Sequence, residues 1–280
     1  MVRGSNLANA EWRLLIDGVA DGATNMAIDE AIAEATVAGY ALPTLRFYGW
    51  QSPCLSLGRN QPFIEADATR CAARAYDIVR RPTGGRAILH SDELTYSVAG
   101  PANEPRLSGG VLEVYHRLSA GLLDGLRRLG MGIEAQETPA ENRAGADISA
   151  ACFDVPSAHE ITVRGRKLVG SAQCRRAGCV LQHGSLPLRG DVARIVDCLA
   201  FDDKAEREAL RDTLRQRAIT VGEVLGQEVS FSAAASTLAE GFAAALCLTL
   251  IPGELSDWER ARAVELRETK YATAAWTERR

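Results

Sequence analysis

Two side chains in this chain of 280 residues have types suited to acyl transfer, Cys152 and Lys167. Cys152 stands in Ala151-Cys152-Phe153-Asp154-Val155-Pro156-Ser157, a stretch whose proline and small polar residues predict a loop. Cysteine is the best nucleophile a protein has at neutral pH, but only its thiolate attacks, so it needs a cation beside it. Bringing a thiol pKa from ~8.5 to ~6.5 takes roughly 2.7 kcal/mol of differential stabilisation, within reach of one close, partly desolvated ammonium. Lys167 opens the run Lys167-Leu168-Val169-Gly170-Ser171-Ala172-Gln173. There a cation is followed by Gly170, Ser171 and Ala172, small enough to leave room for a ligand chain. On residue type alone both have plainer readings, since most cysteines are small buried hydrophobes and most lysines beside turns are solvated.

A second stretch, Arg80-Arg81-Pro82-Thr83-Gly84-Gly85-Arg86-Ala87-Ile88-Leu89-His90, joins two strand-like runs through adjacent glycines. Gly84 and Gly85 let a backbone approach a ligand closely, and Arg80, Arg81 and Arg86 could hold an anionic group. An ordinary hairpin turn accounts for the same residues. His90, and His183 with Gly184 in Leu181-Gln182-His183-Gly184-Ser185-Leu186, sit in or after apolar strands. Each could serve as a base, and each could equally be a buried, hydrogen-bonded structural histidine.

Other chemistries find less support. The seven cysteines are scattered, with no Cys-x-x-Cys pair, and the four histidines lack metal-binding helical spacing. A formal net charge of -4, with no basic run, argues against nucleic acid. No apolar run reaches the ~18 residues that span a bilayer, and the opening residues lack the apolar stretch of a signal peptide, so a cytoplasmic protein is expected. With 46% apolar residues, a sizeable core can form.

The elements that must position these groups can be traced by periodicity. Ile28, Ala31, Ile32 and Ala35 share a helical face behind Asn25 as a cap. Strands are predicted at Thr44 to Trp50, Cys54 to Leu57, Asp77 to Arg81, Ala87 to Leu89 and Glu93 to Val98. Val111, Val114, Tyr115, Leu118, Leu122, Leu126 and Leu129 form a stripe of period near 3.6 that Gly130 ends. His159 to Gly170 predicts a hairpin about Arg164-Gly165 that sets Thr162 opposite Lys167, and Cys179 to Leu186 adds a strand. A charged helix follows over Asp202 to Arg217. The stretch from Val229 onward predicts a strand, then a helix, then a second helix near Trp258 to Thr269. Residues 11–250 are expected to form the catalytic domain and 251–280 a helical tail.

Five segments recur in this order in one known superfamily. They are Arg46-Phe47-Tyr48-Gly49-Trp50, Leu55 to Gln61, Arg80 to His90, Lys167 to Gln173, and His183-Gly184-Ser185. From about Asn25 to Leu188 the chain resembles the lipoate ligase and octanoyltransferase superfamily, whose catalytic domain is similar to that of biotin protein ligases. The resemblance implies an α/β (α+β) fold, a mixed, mostly antiparallel sheet flanked by helices. Within the superfamily the pairing of Arg-Arg-Pro-Thr-Gly-Gly-Arg with Cys-Phe-x-x-Pro-Ser resembles the LipM-type octanoyltransferases. ATP-dependent lipoate ligases carry a third glycine where Arg86 stands and need no cysteine at 152.

What the resemblance implies is a Cys152 acyl-thioester whose thiol pKa is lowered by Lys167, with Arg80, Arg81, Gly84, Gly85, Arg86, His90, Gly170, Ser171, Ala172, His183 and Gly184 binding substrate. The implied donor is octanoyl-acyl carrier protein and the acceptor a lysine of a lipoyl domain or glycine cleavage H protein, without ATP or metal. His159 departs from the aromatic residue expected there. Three alternatives stay open: an ATP-dependent lipoate-protein ligase, an amidotransferase between lipoyl domains, and a non-catalytic binder of carrier domains.

Overall fold

The computed structural model describes residues 7–133 and 161–279. In chain order, strand β1 (Ala10–Ala20) leads into helix α1 (Gly22–Val37), strands β2 (Thr44–Trp50) and β3 (Cys54–Leu57), helix α2 (Ala68–Ala73), and strands β4 (Asp77–Arg80), β5 (Ile88–His90) and β6 (Glu93–Pro101). Helix α3 (Val111–Arg128) is followed by strands β7 (Ile161–Val163), β8 (Arg166–Arg176) and β9 (Cys179–Pro187). Then come helices α4 (Lys204–Arg217), α5 (Val221–Leu225) and α6 (Phe231–Leu246), strand β10 (Leu248–Pro252), and helices α7 (Asp257–Leu266) and α8 (Ala274–Thr277).

Seven strands form one mixed sheet in the order β10-β1-β2-β6-β9-β8-β7, and β4-β3-β5 form a second. β1 runs parallel to both its neighbours, while every pairing from β2 to β7 across the large sheet is antiparallel. β2 and β9 are buried at every position, so their alternation does not divide core from solvent. It divides two buried faces of different chemistry. Leu45 and Phe47 of β2, Leu94, Tyr96 and Val98 of β6, and Val180 and Leu186 of β9 join the core with Val114, Leu118, Leu122 and Leu126 of α3 and Leu238 and Phe242 of α6. Each such aliphatic side chain contributes roughly 1.5–3 kcal/mol of burial before entropy is subtracted. The intervening positions, Arg46 and Tyr48, Thr95 and Ser97, and His183 and Ser185, are buried polar residues on the other face.

The α3 stripe, the early strands and the Arg164-Gly165 hairpin form where expected, with Thr162 opposite Lys167. Several expectations fail for physical reasons. Asn25 does not cap α1: Asp21 does, its Oδ1 accepting from the Thr24 N–H at 2.8 Å. Asn25 lies inside the helix, buried, and donates to the Gly49 carbonyl at 2.9 Å. β5 is shifted by one residue, to Ile88–His90, with Ala87 in a bridge just before it and the Arg86 carbonyl held by Arg81 at 2.7 Å. Behind Val229 the helix comes first and the strand after it, and β1 is a strand the periodicity did not reveal. Among the described residues no helix is long and apolar enough to cross a membrane.

Candidate active site

A cavity opens on the polar face, walled by Met26 of α1, Trp50 of β2, Ser56 of β3, Arg81 and Gly85 of the loop, His90 of β5, and Gly170, Ser171, Ala172, His183 and Gly184 of β8 and β9. Arg81, Gly85, His90, Gly170, Ser171, Ala172, His183 and Gly184 were all expected from sequence, and the fold brings them together. The small residues are obligatory. A Cβ on Gly184 would lie 2.5 Å from Tyr96 Cε1 and 2.7 Å from the Gly170 carbonyl oxygen, distances that real contacts exclude. Gly85 has φ +93°, and a Cβ on Gly58 would sit 1.8 Å from the Gly85 carbonyl oxygen, so the loop turns hard against β3. Tyr96 bonds Ser171 Oγ at 2.7 Å, which holds that hydroxyl in the β8 wall. Burial pushes the Tyr96 phenol up to about 12, so it stays protonated.

Two chains of buried polar groups reach the cavity wall. In one, Ser56 Oγ lies 2.7 Å from His90 Nε2, and His90 Nδ1 lies 2.7 Å from Glu93 Oε1. Glu93 also accepts from the hydroxyls of Thr95 and Ser185. Arg81 donates to Ser56 Oγ at 3.2 Å, and the Trp50 indole stacks on the His90 ring at 4.0 Å. In the other, Thr83 Oγ1 lies 2.6 Å from His183 Nε2, and His183 Nδ1 lies 3.5 Å from Asp29 Oδ2.

Asp29 also accepts from Arg46 at 2.8 Å, Tyr48 at 3.0 Å and Ser97 at 2.8 Å. Burial alone would raise the Asp29 carboxyl. His183 and Arg46 outweigh it and hold the group below the ordinary carboxylate range, and Arg46 is the closer of the two. Burial pushes the His183 imidazole down, and the nearby Asp29 only partly restores it. His183 is therefore neutral at neutral pH, with its Nδ1–H toward Asp29 and Nε2 accepting from Thr83.

Other expected residues lie elsewhere. Arg80 is turned away from the cavity: its fully buried guanidinium donates to the carbonyls of Gly58 at 2.8 Å, Gln61 at 2.6 Å and Thr277 at 2.8 Å. The Trp276 indole N–H donates back to the Arg80 carbonyl at 2.8 Å. Arg80 thus fastens the C-terminal segment to the loop. Arg86 faces Glu65 at 3.4 Å, and Gly84 contributes its carbonyl to Arg81 at 2.8 Å. Lys167 is buried at the start of β8, and its carbonyl accepts from the Ile219 N–H at 3.0 Å. Cys152 and His159 lie outside the described residues. Asp29, Arg46, Ser56, Thr83 and Glu93 were not singled out by sequence reasoning. Arg46 and Glu93 carried a signal, as polar residues on strands with almost no solvent-facing position, whereas Asp29 on α1 and Thr83 in the loop carried none.

Comparison with known proteins agrees with this geometry. The model of the lipoyl protein ligase A/B catalytic domain matches residues 21–243. The chain is 44% identical over 272 residues to an octanoyltransferase LipM of Kyrpidia tusciae, covering 96% of this chain and 99% of that one. It is 45% identical over 272 residues to an octanoyltransferase LipM of Symbiobacterium thermophilum, covering 96% and 98%. Among solved structures, the bi-partite lipoate protein ligase of Thermoplasma acidophilum shares the fold, with TM-score 0.80 at 22% identity over 96% of this chain and 97% of that one. A lipoate-protein ligase A bound with ATP also shares it, with TM-score 0.78 at 23% identity over 96% and 99%. With a mixed sheet of this topology, and relatives this similar along nearly its whole length, the chain belongs to the lipoyl protein ligase A/B catalytic-domain family and, within it, to the LipM octanoyltransferases.

Proposed function

We propose that the protein is an octanoyltransferase of lipoate biosynthesis that carries the acyl group on Cys152. The Cys152 thiolate attacks the thioester of octanoyl-acyl carrier protein, a new C–S bond forms, and the carrier thiol leaves with a proton. The amine of a lysine on a lipoyl domain or on glycine cleavage H protein then attacks the enzyme thioester. An amide forms, and the amine's proton goes to the departing Cys152 sulfur. Lys167 supplies the positive charge that favours the thiolate, and neither ATP nor a metal takes part.

The observation that carries this reading is the cavity itself. Its walls of Met26, Trp50, Ile88, Gly170, Ala172 and Gly184 offer the apolar and small surfaces an unbranched acyl chain packs against, and its space of about 40 Å³ has to widen as the chain enters. The LipM relatives match over nearly the whole chain. The test is intact mass spectrometry after mixing with octanoyl-acyl carrier protein. One octanoyl group should appear on Cys152, fail to appear in Cys152→Ala, and form at least about tenfold more slowly in Lys167→Ala at pH 7. Acylation of Cys152→Ala elsewhere, with transfer to the acceptor intact, would end the reading. So would modification of the acceptor from octanoate plus ATP alone.

A further inference from the structure

A larger groove of about 640 Å³ lies on the same face of the sheet as the acyl cavity. Cys174 and Leu181, which line it, form a register pair two residues along from the pair Ala172 and His183 that walls the cavity. α1 and the C-terminal segment complete its sides. Its charges do not balance. Glu30 is taken by Lys270 and the Tyr271 hydroxyl, and Glu34 is taken by Arg262.

Arg59 and Arg176 also line the groove, and neither has a carboxylate partner among the described residues. Arg279 stacks on Trp276 at 4.0 Å and donates to the Arg59 carbonyl at 2.6 Å, which sets beside these two lining residues a third cation without a carboxylate partner among the described residues. Burial lowers the Lys270 ammonium, Glu30 pulls it back up, and Arg176 and Arg59 push it down again; burial and then Arg59 lower the Arg279 guanidinium. Like charges gathered about a concavity, in a chain whose net charge is -4, repel one another until an anion enters. Leu181, Leu266 and Trp276 supply an apolar and aromatic wall beside them.

We propose that this groove is a binding site for an organic phosphate ester. Its phosphate sits among Arg59, Arg176 and Arg279, and its organic part rests on Leu181, Leu266 and Trp276. Guanidinium groups suit phosphate because their N–H forks match its oxygens. The groove adjoins the acyl cavity along β8: its Cys174 lies two residues from Ala172 and seven from Lys167, the latter roughly 23 Å in an extended strand. The same chemistry could arrive free, as in coenzyme A, or tethered to a carrier protein.

The test is calorimetry and thermal unfolding of the full chain at fixed ionic strength, with inorganic pyrophosphate and with coenzyme A as probes. Both should bind and raise the unfolding temperature, coenzyme A at least about tenfold more tightly because only it reaches the apolar wall. Arg59→Ala/Arg176→Ala should lose at least about tenfold in affinity for both, while Arg128→Ala on α3 responds as the parent does. Coenzyme A against pantetheine, and the phosphopantetheine-bearing carrier against its unmodified form, separate the two sources. Absence of binding by either probe overturns the proposal, as does undiminished binding by the double variant. Neither readout uses acyl transfer, so failure here and failure of the Cys152 mechanism are distinguishable.

Discussion

The two histidine chains at the cavity have the same parts list, a carboxylate, an imidazole and a hydroxyl, yet they differ in how the carboxylate is compensated. Asp29 has the Arg46 guanidinium at 2.8 Å, and its histidine stands off at 3.5 Å. Glu93 is held by the hydroxyls of Thr95 and Ser185 and has His90 at 2.7 Å. In the first chain a permanent cation does the neutralising, and the histidine acts as a neutral brace between Asp29 and Thr83. In the second the histidine is the carboxylate's close partner. The same kinds of group gathered over one sheet face thus take different duties according to where a single arginine falls. The alternation of β2 puts Arg46 beside Asp29.

Removing that arginine should break the comparison most severely. Arg46→Met leaves Asp29 as a buried charge short of its main partner and is expected to cost about 3–5 kcal/mol in denaturant unfolding. A loss below about 1 kcal/mol would mean that Tyr48 and Ser97 suffice. His90→Gln should have a middle effect, about 1–3 kcal/mol, because Glu93 keeps its two hydroxyl donors. The smallest effect is expected for His183→Gln at neutral pH, about 1 kcal/mol or less, and its signature is the pH dependence.

The His183 imidazole is pushed below its ordinary 6.5 by burial. On acidification the unfolded chain therefore binds this proton before the native protein does. The stability tied to a neutral His183 is present above about pH 6.5 and is lost as pH falls through the lower native value. The stability gap between parent and His183→Gln should narrow over that range. Parallel stability curves from about pH 8 to about pH 5 would remove His183 from the account.

Much of this architecture was legible in the residues, and the reasons it was not entirely so are physical. The α3 stripe and the Thr162 to Lys167 hairpin are governed by local periodicity and turn chemistry, which the chain states directly. Asn25 resembles a cap because asparagine caps helices, but here its amide serves the Gly49 carbonyl across the fold. Arg80 resembles an anion ligand, and it is used to fasten carbonyls of residues some two hundred positions away. The glycines and small residues of β8 and β9 were found because a ligand space needs them wherever it is. Asp29 was missed because a charge on a helix looks solvent-facing until its partner strand is known, and Arg46 and Glu93 because the polar alternation of a strand buried on both faces resembles that of a strand with one wet face.

The grip of Arg80 on the carbonyls of Trp276, Thr277 and Arg279 has a consequence for how the protein comes into being. A chain emerging from the ribosome has the whole Arg80 to His90 loop early in synthesis, but the carbonyls that fasten it arrive nearly two hundred residues later. Until then Nη1 of the guanidinium has the Gly58, Arg59 and Gln61 carbonyls, but Nε and Nη2 lack the acceptors that tie the loop to the C-terminal segment. Acyl donors that meet a chain lacking Trp276 to Arg279 should find the pocket unfinished, so competence begins only once those residues are in place.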